Sequence, residues 1–355
     1  MLRTLPVVVL ACAGLLAQRQ PPGTTVDGDL GADFDRIVTT STPDFWGAVL
    51  VAVEGRIVLA KGYGFADRQK VPIGPQSLFD LGTTAQQLTT LVALRLVADK
   101  KLRLEDPVGK YVDDWPADKA EIKVGNLVRH TSGLPLEAIW DSDAANQSRF
   151  AERAIARTVL VDQPGQAEHY SGLNMTLLAL VIEEVARQRF DRLLVERVMK
   201  PFGMSNAVLW NGRPDQKLLT LRRSAGNERG ELPTLYDLNW AHRGAHGVLA
   251  SVLDVHAMLS GLLAGKLLPA EQLDVLWRPF AGADVGVAEL PAYGATFVLV
   301  HGQTGGYRAR WLVHRARRSW VVVLTQDQGA IEALEGALLA QLAKLCSPEP
   351  ASAAP

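Results

Sequence analysis

The sequence predicts an α+β fold, and three observations carry that prediction. Gly47–Gly64 reads as a β-hairpin: an apolar run, a Glu54-Gly55 turn and a returning run from Arg56. The middle of the chain changes period: Leu88, Leu91, Val92, Leu94, Leu96 and Val97 recur at helical spacing, as do Leu177, Leu178, Val181, Ile182 and Val185. Strand signals then return at Phe297–Val313 and in the buried run Trp320–Thr325. Hairpins at both ends with helices between them agree with a sheet flanked by helices.

At 355 residues and 48% hydrophobic, the chain can bury a large core. A formal net charge of −1 gives no electrostatic case for nucleic acid or an anionic membrane surface. Arg308, Arg310, Arg315, Arg317 and Arg318 form the one basic cluster, expected as a solvated strand and turn. Of the two cysteines, Cys12 and Cys346, the first lies in the leader, so the mature chain cannot close a disulfide within itself. No cysteine cluster would hold zinc, and no metal or cofactor is expected.

Residues 1–20 read as a signal peptide: Arg3 is followed by an apolar run, Leu5–Ala17, too short to span a bilayer. This implies an exported protein, periplasmic or secreted, without an integral membrane span. Cys12 offers a weak lipoprotein signal, and the apolar run that continues past it argues against lipidation. Residues 21–32, rich in Pro, Gly and Asp, are expected as a mobile leader, with a helix from Asp33. The main domain would run from 33 to 345, with sheet halves at about 33–80 and 285–345 and a helical region at about 81–284. Residues 346–355 would be a disordered tail. Asp141–Asn146 and Trp210–Pro233 read as loops.

The motifs in this frame are specific. Gly62-Tyr63-Gly64-Phe65-Ala66-Asp67 closes the first hairpin, and Lys101-Leu102-Arg103-Leu104-Glu105-Asp106-Pro107-Val108 follows the first long helix. Then come Leu127-Val128-Arg129-His130-Thr131-Ser132-Gly133-Leu134-Pro135, Pro164-Gly165 with Tyr170-Ser171, and Gly302-Gln303-Thr304-Gly305-Gly306. Together they resemble the serine β-lactamase and penicillin-binding-protein-like family, in the branch of class C β-lactamases, esterases and D-alanyl-D-alanine peptidases. The resemblance covers about residues 45–330. It implies a mostly antiparallel sheet flanked by helices, with an inserted helical region and a site between the two.

The resemblance also places the reactive positions. Where the family has Gly-Ser-x-x-Lys, this chain has Gly82-Thr83-Thr84-Ala85-Gln86. Thr83 stands at the nucleophile position, Gln86 at the lysine position and Tyr170 at the tyrosine position. Gly172 replaces the family's Asn, and Gln303, with Thr304 and Gly305, stands where the family writes His or Lys. Thr83 keeps a hydroxyl but adds a methyl that restricts its rotamer, and the Gln86 amide cannot take up a proton as an amine does. Asn174 lies two residues past the family position, where a helix turns its side chain elsewhere. His130 is expected to be structural. His301 precedes Gln303 by two residues and would share its face of a strand. Thr83 with Gln86, or Thr84 with Gln87, could instead form a capping box at a helix start.

The favoured reading is an exported, catalytically impaired or inactive family member that keeps a cleft for a small-molecule or peptide ligand. One alternative is an active hydrolase of esters, amides or peptides that uses the Thr83 or Ser171 hydroxyl with Tyr170 as base. The other is a structural or interaction protein of the envelope. The sequence leaves the oligomeric state open.

Overall fold

A computed structural model describes residues 20–66, 71–136, 148–209, 222–224, 227–231, 240, 242–281, 285–292, 294–327 and 329–347. Residues 1–19 of the expected signal peptide, the expected loop Asp141–Asn146, most of Trp210–Pro233 and the last eight residues lie outside these.

The chain starts with β1 (Thr25–Val26), α1 (Gly28–Ser41), β2 (Gly47–Val53) and β3 (Arg56–Tyr63). Next come β4 (Phe79–Asp80), a 3₁₀ turn at Gly82–Ala85, α2 (Gln86–Ala98) and α3 (Val124–Val128). The central part adds α4 (Ser148–Ala156), α5 (Gly172–Ala186), α6 (Phe190–Leu194), α7 (Lys200–Phe202), β5 (Val208–Leu209), β6 (Arg222–Ser224) and β7 (Asn227–Glu231). The chain ends with β8 (Val248–Ala250), α8 (Val252–Leu263), α9 (Ala270–Leu276), β9 (Phe280–Ala281), β10 (Val285–Ala292), β11 (Ala295–Thr304), β12 (Tyr307–His314), β13 (Ser319–Thr325) and α10 (Ile331–Cys346).

Eight strands form one antiparallel sheet in the order β1-β3-β2-β13-β12-β11-β10-β9, so the first hairpin is joined edge to edge with the last strand. Strand alternation divides the sheet's residues between two cores. On one face Leu50, Val300, Trp311 and Val322 meet the helical region. On the other, Val49, Phe297, Leu299 and Val323 meet Phe34 and Val38 of α1 and Leu334, Leu338 and Leu342 of α10. A three-stranded sheet, β4-β8-β5, ties the approach to the 3₁₀ turn into the helical region.

Two expected boundaries are corrected. The stretch 21–32, read as a mobile leader, holds β1 and the first turn of α1: Thr25 pairs with Ala60, and the Asp27 N–H donates to Val58 O. The helix begins before Asp33 because the stripe Leu30, Phe34, Ile37 and Val38 has a sheet face to bury. At the other end α10 runs through Cys346, which is buried, so the helix extends one residue into the expected tail.

Candidate active site

The 3₁₀ turn lies directly against β11. A Cβ on Gly302 would stand 2.6 Å from Thr83 Oγ1 and from Thr84 N, so only glycine permits this approach. Gly82, at φ +55°, is equally tight against the Gln303 carbonyl. Asp80 at the end of β4 braces the turn by accepting from the Gly82 N–H at 2.8 Å. Burial pushes its carboxyl up to about 6.

This packing decides what Thr83 does. It is 3% exposed, and its Oγ1 accepts the Gln303 N–H at 3.1 Å. The side chain of Gln303 is placed differently from its backbone. Alternation along β11 puts Gly302 and Thr304 on the face of Val298 and Val300, against the turn, and His301 and Gln303 on the face of Phe297 and Leu299. His301 lies over Gly286 of β10. Gly305 and Gly306, both at positive φ, make the tight turn from β11 into β12.

The expected capping box does not form. Neither the turn nor α2 has a side-chain cap. Thr83 and Thr84 lie inside the 3₁₀ turn, so neither stands at an extended N-cap position. Thr84 Oγ1 instead donates to Leu81 O at 2.7 Å.

Gln86 has distant partners. Its Nε2 donates to the Tyr170 hydroxyl at 3.0 Å, and its Oε1 lies 3.1 Å from His130 Nε2. His130 Nδ1 faces two donors, Asn174 Nδ2 at 3.1 Å and the Ser171 N–H at 3.4 Å. Nδ1 must then be the acceptor, which puts the proton on Nε2, pointing at Gln86. Ser132 Oγ completes the series by donating to Asn174 Oδ1 at 2.6 Å. The result is one directional chain, Ser132 to Asn174 to His130 to Gln86 to Tyr170. Burial lowers the His130 imidazole to about 4, in keeping with a neutral ring. That ring is flanked by Tyr170 and Phe280, with centroids at 5.1 and 5.0 Å. Its backbone, at φ +51°, lies in the left-handed region, a strained conformation held by these contacts.

Ser171 is the N-cap of α5: its Oγ accepts the Leu173 N–H and donates to Pro135 O at 2.6 Å. Gly172 follows at the first helical position, with nothing within 4 Å of where a Cβ would stand. Asn174, fully buried one turn along, points to His130 and Ser132. Gln86 and Tyr170 are thus brought into contact, while the Thr83 side chain is turned to the backbone of β11. What the sequence did not disclose is that His130, Ser132 and Asn174 connect to them. The available signal was the His-Thr-Ser motif together with a buried-helix Asn, two polar groups needing partners.

Comparison with known proteins decides the family. Residues 44–344 match the family model described as Beta-lactamase. The chain belongs to the Beta-lactamase family. Among relatives, a putative penicillin-binding protein PbpX of Bacillus subtilis is 25% identical over 252 residues, 71% of this chain and 63% of its own length. Protein flp of Staphylococcus aureus is 27% identical over 170 residues, 45% of this chain and 34% of its own. The chain thus spans less than two thirds of the length of these relatives. Among solved structures, Staphylococcus aureus FmtA superposes with a TM-score of 0.73 at 19% identity, covering 91% of this chain and 93% of its own. A β-lactamase/D-alanine carboxypeptidase from Pseudomonas syringae gives 0.73 at 16% identity, with 89% and 100% covered. These structures share the fold, a mixed helical and antiparallel architecture. Among the described residues, no helix is long and apolar enough to cross a membrane.

Proposed function

We propose that this Beta-lactamase family member is an exported protein that has lost the acyl-transfer chemistry and retains its cleft as a binding site for a small molecule or peptide. The observation that carries this reading is the Gln86 amide, held between the Tyr170 hydroxyl and His130 Nε2. Acyl transfer needs a group that takes the nucleophile's proton. At the position one turn from Thr83, an amide with both ends engaged replaces it. Thr83 itself is enclosed by β11 and accepts a backbone N–H through the oxygen that would have to attack. Loss of a positioned base costs about 10²- to 10⁴-fold in rate.

The rival hydrolase reading through Ser171 has little support, because that hydroxyl caps α5 and donates to Pro135 O. Export rests on the Arg3 and Leu5–Ala17 pattern.

The test is intact-mass analysis of the mature protein with a β-lactam and with an activated ester, beside Thr83→Ala. The expected result is no adduct and no turnover in either protein. An adduct present in the parent and missing in Thr83→Ala would make Thr83 a nucleophile and overturn the reading.

A further inference from the structure

The three most exposed large apolar side chains lie on neighbouring stretches of chain. Val159 is 81% exposed, Leu136 59% and Val161 55%, and no other large apolar side chain among the described residues exceeds 40%. Single apolar residues scattered over a surface need no explanation, but a group of them does. The Val161 N–H donates to Gly133 O at 2.8 Å, which sets the segment after α4 beside the one that carries Leu136. The approach is close: a Cβ on Gly133 would stand 2.0 Å from Asp162 O. Further along, the Gly165 N–H donates to Thr131 O at 2.7 Å. The valines are therefore held out by a backbone that is pinned in place.

Basic residues adjoin them. Arg149, Arg153 and Arg157 are all exposed and recur every fourth residue along α4 and just past its end. The Arg157 N–H still donates to Arg153 O at 3.1 Å, so the helical spacing holds and the three share one face. None of them is in an ion pair among the described residues. Of the acids nearby, Glu152 is half-buried in the field of Asp113 and Glu184, and Asp162 is engaged by His169. The formal net charge of −1 averages over this local arrangement.

We infer that this surface docks the protein on an anionic lipid bilayer. Val159, Val161 and Leu136 enter the headgroup region, and the three arginines bond lipid phosphates around them. Six side chains fall well short of the roughly 20–30 residues that a stable protein partner engages on each side. Apolar side chains beside a few arginines are what reversible attachment to an anionic bilayer uses. Pro135 O, next to Leu136, accepts from Ser171 Oγ at 2.6 Å, so docking here brings the start of α5 and Tyr170 toward the lipid. The inference does not rest on the loss of acyl transfer, because its readout is binding and not turnover.

The test is co-sedimentation of the mature protein with vesicles of phosphatidylcholine mixed with phosphatidylglycerol, beside vesicles of phosphatidylcholine alone. The expected result is binding to the mixed vesicles that high salt releases, and binding to the neutral ones that is weaker by about tenfold or more. Arg149→Gln, Arg153→Gln and Arg157→Gln together should weaken binding to the mixed vesicles about 100-fold. Leu136→Ser, Val159→Ser and Val161→Ser together should weaken it by about tenfold or more. Both triple variants should unfold at the parent's temperature, since all six side chains are exposed. A polarity-sensitive fluorophore attached at Val159→Cys should shift to the blue with the mixed vesicles and not with the neutral ones. The inference is overturned if the parent does not bind mixed vesicles, if it binds neutral ones as well, if the label does not shift, or if either triple variant binds like the parent. A concentration-dependent dimer that the serine variant abolishes, without vesicle binding, would assign the surface to a second copy of the chain and overturn it too.

Discussion

The Nε2–H of His130 points at Oε1 of Gln86 across 3.1 Å, although 44 positions separate the two residues. This bond makes the glutamine at the lysine position part of a buried polar chain. It also predicts what putting a lysine back would do. Gln86→Lys removes the acceptor for His130 and brings an ammonium against a neutral, buried imidazole. An unsatisfied buried donor costs about 1–3 kcal/mol. The single variant should therefore unfold several degrees lower and still form no acyl adduct. Thr83→Ser combined with Gln86→Lys supplies both an unhindered hydroxyl and an amine. It should give a β-lactam adduct by intact mass where neither single variant does.

Asp80 and His130 give opposite pH dependences. Asp80 keeps its proton in the fold up to about 6, against an ordinary 3.8. Between these values the folded chain binds more protons than the unfolded one, so raising the pH lowers stability. His130 stays neutral in the fold down to about 4, against an ordinary 6.5, so stability falls as the pH drops through that window. The two slopes oppose each other between about pH 4 and 6. Asp80→Asn keeps an oxygen for the Gly82 N–H and removes one slope. It should be more stable than the parent by ~3 kcal/mol at pH 7, with the gain fading by pH 4. Urea unfolding at several pH values would measure this. A gain that does not change with pH would show that Asp80 does not titrate in this window.

Two glycines should respond in opposite ways to the same change. Gly302→Ala drives a Cβ into Thr83 and Thr84 at 2.6 Å, against backbone that cannot swing aside, and should cost about 3 kcal/mol. Gly172→Ala fills open space at the start of α5 and should stabilise by about 0.5–1 kcal/mol. Thermal unfolding of the pair is sufficient to check both.

Ser171→Ala tests the role of that hydroxyl. Loss of the N-cap and of the bond to Pro135 O should cost about 1–2 kcal/mol. Reactivity toward the activated ester should be unchanged from the parent, and a fall would restore Ser171 as a candidate nucleophile.

The sequence made the scaffold legible where local rules sufficed. Apolar runs bounded by turn signals revealed β2, β3 and β13, and helical spacing revealed α2 and α5, because each of these signals is local to its own segment. The resemblance singled out Thr83, Gln86 and Tyr170, and the fold joins Gln86 to Tyr170. The partners of Gln86 did not, because they come from His130 and Tyr170, 44 and 84 positions away. The capping-box expectation failed for a related reason. Thr-x-x-Gln is a local signal, and here a neighbouring strand and two distant side chains claim the same atoms. The leader was misjudged on composition: Pro and Gly near residue 21 concealed a two-residue strand that gains its meaning only beside Ala60.

The union of β2 with β13 sets the order in which this molecule can be completed. The Glu54 N–H finds Ser319 Oγ across 265 positions of chain, and every ladder bond between these strands spans a comparable loop. Such contacts carry a large closure entropy and slow folding. On a ribosome, the opening hairpin would wait with β2 as an unpaired apolar edge until nearly the whole chain had been made. During synthesis that edge is the segment most exposed to wrong partners.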